Sequence, residues 1–246
     1  MWVRRPTPYD GPAGLEGQAR RFAAQQAFWG AGGILGSIPG AHYVNHPGAN
    51  RAAEYKPAQL AAALACGFQV PDTLITNDPA EAREFVGSQS LGAVYKPLWN
   101  SPYDPGGKAH AVWVREVHDS EITDAVSVCP HLFQAMVPKA FDVRVTAGGD
   151  RVTGVRIDSP DLDWRLRQDL MTCTPIGVPH SVASAVSTYL AEFTLTFGAF
   201  DFAVTTTGDW HFLECNPNGQ WAWQPTPTTD TIAHALADQL QKGHAV

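Results

Sequence analysis

The sequence predicts an α+β fold of two lobes, and three observations carry that expectation. Two segments read as β-hairpins, FDVRVTAGGDRVTGVRID at 141–158 and FGAFDFAVTTTGDWHFLECN at 197–216. Strands and helices come in blocks, not in the regular alternation of a parallel sheet. A chain of 246 residues with 44% hydrophobic content can bury the core such a fold needs.

Taken in order, residues 13–30 read as a helix, followed by the glycine-rich turn GAGGILGSIPG and the irregular stretch HYVNHPGANR. The glycines from Gly30 to Gly36 lack the lysine of a GxxxxGK[ST] phosphate loop and follow a helix, so they read as structural. PAQLAAALAC, from Pro57 to Cys66, is helical, with proline in the first turn and Gly67 as the stop. TLIT after Pro71 is a short strand, and Asn77 or Asp78 caps the helix PAEAREFV. AVYKPL at 93–98 and VWVREV at 112–117 are strand-like, and the turn-rich WNSPYDPGGKAH lies between them. Gly106 and Gly107 would let backbone N–H groups approach phosphates. A helix near 119–128 leads into HLFQAMV and the first hairpin. A polar loop with Asp163, Trp164 and Arg165 follows, then a helix at 180–195, the second hairpin and a closing helix at 229–241.

Composition excludes several classes of function. A net charge of −7 with no basic run longer than Arg4-Arg5 offers nothing to nucleic acid. Cys66, Cys129, Cys173 and Cys215 are scattered with no CxxC pair, which speaks against a zinc site or disulfide framework and for reduced thiols in the cytoplasm. No apolar run approaches the ~18 residues of a membrane span.

The second hairpin carries the chemistry. A symmetric turn centred between Thr207 and Gly208 puts Phe202 opposite Leu213 and Phe200 opposite Cys215, a self-consistent apolar face. The other face then has Asp201 directly opposite Glu214, with Asn216 two residues on. Facing carboxylates repel unless neutralised, and a hard divalent cation would do so. The NPNG turn at 216–219 adds oxygen donors at the strand end, Asn218 among them.

These residues resemble the metal-binding hairpin of the ATP-grasp superfamily, in particular the ATP-grasp ribosomal peptide maturases that make graspetides of the microviridin type. VNHPGANRAAEYKPAQLAAALACGFQVPDTLIT, VYKPL, FQAMVPKAFDVRVTAGGDRVTGVRIDS and the DWR triplet resemble the same family in the same order. The similarity covers about residues 40–225 and reaches back to WVRRPTPY. It implies an ATP-grasp fold whose two lobes, with antiparallel sheets, enclose a nucleotide cleft. Residues 51–138 would form the central lobe, 139–246 the carboxyl-terminal lobe with the metal site, and 1–50 a lead-in, the remnant of an amino-terminal region. Relatives usually carry a small α/β domain ahead of this point.

By resemblance, Asp201, Glu214 and Asn216 are Mg²⁺ ligands, and Lys96 and Lys56 reach the phosphates of ATP. Gln134, Ala135, Met136 and Val137 border adenine through the backbone, although Ala135 stands where many relatives have Glu. In FDVRV, alternation puts Asp142, Arg144 and Thr146 on one face, and a turn near Gly149 brings Arg156 and Asp158 to it. Arg144 and Arg156 resemble the arginine pair on the γ-phosphate and acyl phosphate. Lys96, Arg144 and Arg156 are thus the catalytic candidates, and Asp163 and Arg165 resemble a loop near the acceptor.

The implied activity is ATP-dependent ligation through an acyl phosphate, joining Asp/Glu to Ser/Thr/Lys side chains of a precursor peptide by ester or amide bonds. The resemblance leaves room for a homodimer. Another amino-acid or peptide ligase of the superfamily, or a truncated ATP-binding protein without turnover, are the alternatives.

Overall fold

The computed structural model describes residues 1–4, 9–99 and 112–244. Two antiparallel sheets organise them. The first contains β1 (Thr73–Thr76), β2 (Ala93–Lys96), β3 (Arg115–Val117) and β4 (His131–Ala135), in the order β1-β4-β2-β3. The second contains β5 (Lys139–Gly148), β6 (Arg151–Asp158), β7 (Thr172–Ile176), β8 (Phe197–Thr205) and β9 (Trp210–Asn216), in the order β7-β6-β5-β8-β9. The loop 100–111, with Gly106 and Gly107, lies outside the described residues.

Six helices accompany the sheets: α1 (Gly17–Gly36), α2 (Pro47–Ala53), α3 (Lys56–Ala65), α4 (Pro79–Ser88), α5 (His180–Glu192) and α6 (Thr226–Gln241). Asp78 caps α4, its carboxylate accepting from the N–H groups of Ala80 (2.7 Å) and Glu81 (3.4 Å). The expected glycine turn after residue 30 is instead helix, since α1 runs through to Gly36. Glycine lowers helix propensity by about 1 kcal/mol but removes no backbone hydrogen bond. The HPGANR stretch is also helical, as α2, with the imidazole of His46 accepting from Gly48 N–H. Residues 119–128 form two 3-10 turns in place of one helix. The strand β7 escaped the sequence because it is short and contains Pro175, which a sheet tolerates at an edge such as this one.

One face of the second sheet buries the main core. Val143, Val145, Phe200, Phe202, Phe212 and Cys215 meet Val186, Tyr189 and Leu190 of α5 and Ala62 and Ala63 of α3. Phe68 stacks on Phe212 with ring centroids 5.3 Å apart. Residues 53–68, expected in the central lobe, therefore pack on the carboxyl-terminal sheet. Their alanines and Phe68 make an apolar face that this sheet and α5 complete. The Tyr189 hydroxyl is buried in this cluster without a hydrogen-bond partner among the described residues. Tyr189→Phe removes a desolvated polar atom and nothing else, so it is expected to stabilise the fold by about 1 kcal/mol. A urea midpoint lower than wild type would contradict that reading.

Candidate active site

The other face of the second sheet gathers the polar residues. Asp201 stands directly opposite Glu214, Phe200 opposite Cys215 and Ala199 opposite Asn216, the pairings expected from the sequence. Nearer the turn a bulge at Asp201/Phe202 slips the ladder by one residue, so that Phe202 faces Phe212 and not Leu213. Asn216 Nδ2 donates to Glu214 Oε1 at 3.1 Å. Asp201, Glu214 and Asn216 therefore sit together at one end of the hairpin. Gly219 keeps the following turn tight: a Cβ there would collide with Ala199, the ladder partner of Asn216.

Cations surround the two carboxylates. Arg144, whose ladder partner is Asp201, grips it with Nε at 2.6 Å and Nη2 at 3.2 Å, while Nη1 donates to Gln220 O at 3.2 Å. Its guanidinium carbon lies 5.3 Å from the Trp164 ring centre and 5.8 Å from that of Trp223. Arg165 Nη2 contacts Asp201 Oδ2 and lies 2.8 Å from Glu214 Oε1, and its Nη1 is 3.3 Å from Asp163. Lys56, at the start of α3, contacts Glu214 Oε2. Burial alone would raise the Glu214 carboxyl, but Lys56 and Arg165 outweigh it and hold Glu214 well below the usual carboxylate range. Burial likewise opposes the charge on Arg165, and Asp201, Glu214 and Asp163 overcome it to raise its pKa. The Asp201 and Arg144 side chains are 5% and 4% exposed, against 23% and 28% for Glu214 and Arg165. Solvent therefore reaches this cluster from the Glu214 side.

The first sheet contributes Lys96 and Gln134. Lys96 Nζ donates to Gln134 Oε1 at 2.6 Å, and Gln134 Nε2 donates to Thr73 at 2.9 Å. Burial pushes Lys96 down to about 8; Glu214 raises it again, and Lys56 and Arg165 lower it. Lys96 thus feels the charges of the second sheet. The N–H groups of Ala135 and Met136 donate to the carbonyls of Asp72 (2.8 Å) and Gly92 (2.9 Å). Of the three hinge residues 135–137, Val137 therefore has the N–H with no backbone partner among the described residues.

Arg156 is not part of this cluster. The β5–β6 ladder pairs Val143 with Arg156 and Asp142 with Ile157, one residue away from the expected register, and that slip moves Arg156 and Asp158 to the opposite face. Arg156 covers the Phe141 ring and pairs with Asp158 at 2.6 Å. Asp142 pairs with Lys139 at 2.6 Å. Sequence reasoning also missed two buried amides. Asn45 Nδ2 donates to Phe197 O (2.8 Å) and Pro217 O (3.1 Å), and its Oδ1 accepts from the N–H groups of Thr196 and Phe197. It ties the lead-in segment to the turn after Asn216. The other amide, Gln59, binds the edge of β9. Neither has a local signal for the site, since the β8 and β9 groups each one binds lie about 150 residues or more away in sequence.

A divalent cation fits here. Among the described residues no three His, Cys, Asp or Glu side chains form a metal cluster. The donors are two carboxylates and an amide, and Arg165 Nη2 already places positive charge against one oxygen of each carboxylate. Mg²⁺ favours such incomplete protein sets, with substrate phosphate and water completing the octahedron.

No protein-family model and no curated protein matches the sequence. Solved structures do match the fold. The macrocyclase MdnC from Microcystis aeruginosa MRC, bound with precursor peptide MdnA, superposes with a TM-score of 0.86 at 25% identity, covering 98% of this chain and 78% of that chain. A Chryseobacterium gregarium RiPP-associated ATP-grasp ligase, in complex with ADP and a leader and core peptide, gives 0.83 at 26% identity over 93% and 71%. Macrocyclase MdnB from Microcystis aeruginosa MRC gives 0.79 at 27% identity over 97% and 76%. The two antiparallel sheets are those of the ATP-grasp ligase fold. Within that class the chain is similar in fold to these macrocyclases and the RiPP-associated ligase. Among the described residues no helix is long and apolar enough to cross a membrane.

Proposed function

We propose that the protein uses MgATP to crosslink side chains of a ribosomally made precursor peptide in the cytoplasm, as a homodimer. A carboxylate oxygen of an Asp or Glu attacks the γ-phosphorus, the bond to the β-phosphate oxygen breaks, and acyl phosphate and ADP result. A Ser or Thr hydroxyl or a Lys amine then attacks the acyl carbon. Phosphate leaves, the nucleophile loses its proton, and an ester or amide remains. The observation that carries this reading is the convergence of Lys56 and Arg165 on the facing carboxylates Glu214 and Asp201, with Lys96 of the other sheet near enough for Glu214 to favour its charge and for Lys56 and Arg165 to oppose it.

Phosphoryl transfer is accelerated chiefly by positioning and charge neutralisation. In this reading Lys96 and Lys56 face the phosphates, and the backbone at Ala135 to Val137, next to Gln134, borders adenine. Asp201, Glu214 and Asn216 would hold Mg²⁺, which supplies charge neutralisation at the phosphates. Arg144 holds Asp201 in place. Arg165, which touches both Asp201 and Glu214, is better disposed than Arg156, which lies on the opposite face of the sheet, to meet the acyl phosphate.

Incubation with a candidate precursor, ATP and magnesium tests the reading: peptide mass should fall by about 18 Da, one water, per bond. ADP release that needs a free amino acid, with mass added to the peptide, would point to another kind of ligase. Bound ATP with no ADP from any carboxylate would defeat the ligase reading. A single 26.6 kDa species in sedimentation velocity would remove the homodimer.

Lys96 makes a separate prediction. With its pKa near 8, about half of the Lys96 side chains are neutral at pH 8, and phosphates beside it favour the ammonium. ATP binding at pH 8 should therefore take up about half a proton, falling towards none at pH 6.5, and affinity should weaken as pH rises through 8. Calorimetry in buffers of different ionisation enthalpy reads this directly. Uptake that is unchanged in Lys96→Met would remove Lys96 from the phosphates.

A further inference from the structure

We infer that Gln59 is a positioning residue for the proposed cation site, fixing Glu214 and Asn216 by clamping the backbone between them; the inference rests on the ligase reading above. β9 is the last strand of its sheet, so one of its edges has no strand partner and presents backbone groups that need satisfying. At Cys215 a side chain takes that place. Gln59 Oε1 accepts from Cys215 N–H at 2.9 Å, and Gln59 Nε2 donates to Cys215 O at 2.9 Å and to Ala53 O at 2.7 Å. Lower on the same edge, the backbone of Gln69 does the equivalent work, accepting from Phe212 N–H at 2.8 Å.

The clamp falls where it matters for the site. Alternation turns the Cys215 side chain into the apolar core and the side chains of Glu214 and Asn216 to the other face. Holding both backbone groups of Cys215 therefore sets the height and tilt of both neighbours relative to Asp201 on the interior strand β8. Gln59 also lies one helical turn after Lys56, on the same side of α3, and Lys56 contacts the Glu214 carboxylate. One face of α3 thus grips β9 twice, by amide on backbone and by ammonium on carboxylate. Gln59 is 2% exposed, a position where an apolar side chain would serve if packing were its whole role.

Gln59→Met keeps the bulk and deletes the clamp. The test titrates Mg²⁺ into protein saturated with ADP, follows tryptophan fluorescence, and measures amide hydrogen exchange at Cys215. The Mg²⁺ half-saturation should rise about 10–100-fold, the range found when outer-shell partners of metal ligands are removed. ADP affinity without Mg²⁺ should stay within about twofold, and Cys215 should lose protection while Phe200 to Phe202 on β8 keep theirs. Val186→Ala, a core change on α5, serves as the stability-matched control and should leave the Mg²⁺ midpoint alone. Should Gln59→Met not fold, Gln59→Asn shortens the reach with less disruption and should show the same split. Wild-type Mg²⁺ response and Cys215 protection in a folded Gln59 variant would overturn the inference alone. A wild-type protein that binds ADP with no Mg²⁺ dependence would overturn the cation site, and the inference with it.

Discussion

Asp201→Asn is expected to lower ADP formation by about 10²–10³-fold at saturating ATP, the scale seen when one preorganised electrostatic group is removed from a site where charge develops. Asp201 is 3% exposed, accepts from Nε and Nη2 of Arg144, and faces Glu214 across the ladder. The amide keeps the shape and loses the charge. A proposed cation then has one carboxylate where it had two, and Arg144 and Arg165 lose a counter-charge. Excess Mg²⁺ should restore part of the rate if weak cation binding is the defect. A wild-type rate in Asp201→Asn, measured by coupled ADP release, would place the reacting phosphates elsewhere.

The largest effect on stability should come from Arg144→Met. Breaking a buried ion pair by deleting one partner costs about 3–5 kcal/mol, because the remaining charge is left uncompensated. Arg144 and Asp201 meet that description: both are almost fully buried, the contact is bidentate, and tryptophans stand on the guanidinium. Arg165 also touches Asp201 and will offset part of the loss. The double variant Arg144→Met/Asp201→Asn should therefore lose much less than the sum of the single losses. Guanidinium melts of the four proteins give the cycle. A loss under about 1 kcal/mol in Arg144→Met would show that the pair holds little of the fold together.

Much of the site was legible because hairpins report their own geometry. The turn residues around Gly208, which has φ of +88°, mark β8 and β9 as a hairpin, and the expected Asp201–Glu214 pairing is reached through a bulge at Asp201/Phe202 that shifts the register set at the turn by one residue. The same reasoning failed for Arg156 because the first hairpin turns one residue differently at Gly149, and a slip of one residue exchanges faces. Bulges and turn offsets of this size leave little trace in composition.

What the sequence determined by itself is what local physics encodes: the capped helix α4, the two hairpins, the facing carboxylates, and the α+β class that follows from blocks of strands and helices. What only the tertiary structure decided is which distant groups complete the site. Asn45 and Gln59 reach across about 150 residues or more to satisfy backbone atoms beside Asn216 and Glu214. Arg165 reaches back from a loop to bridge Asp201 and Glu214. Ala53, Ala62, Ala63 and Phe68 join one core with residues of β5, β8, β9 and α5. Such partnerships arise because a buried polar group must find a partner wherever folding brings one, and periodicity along a chain carries no record of that meeting.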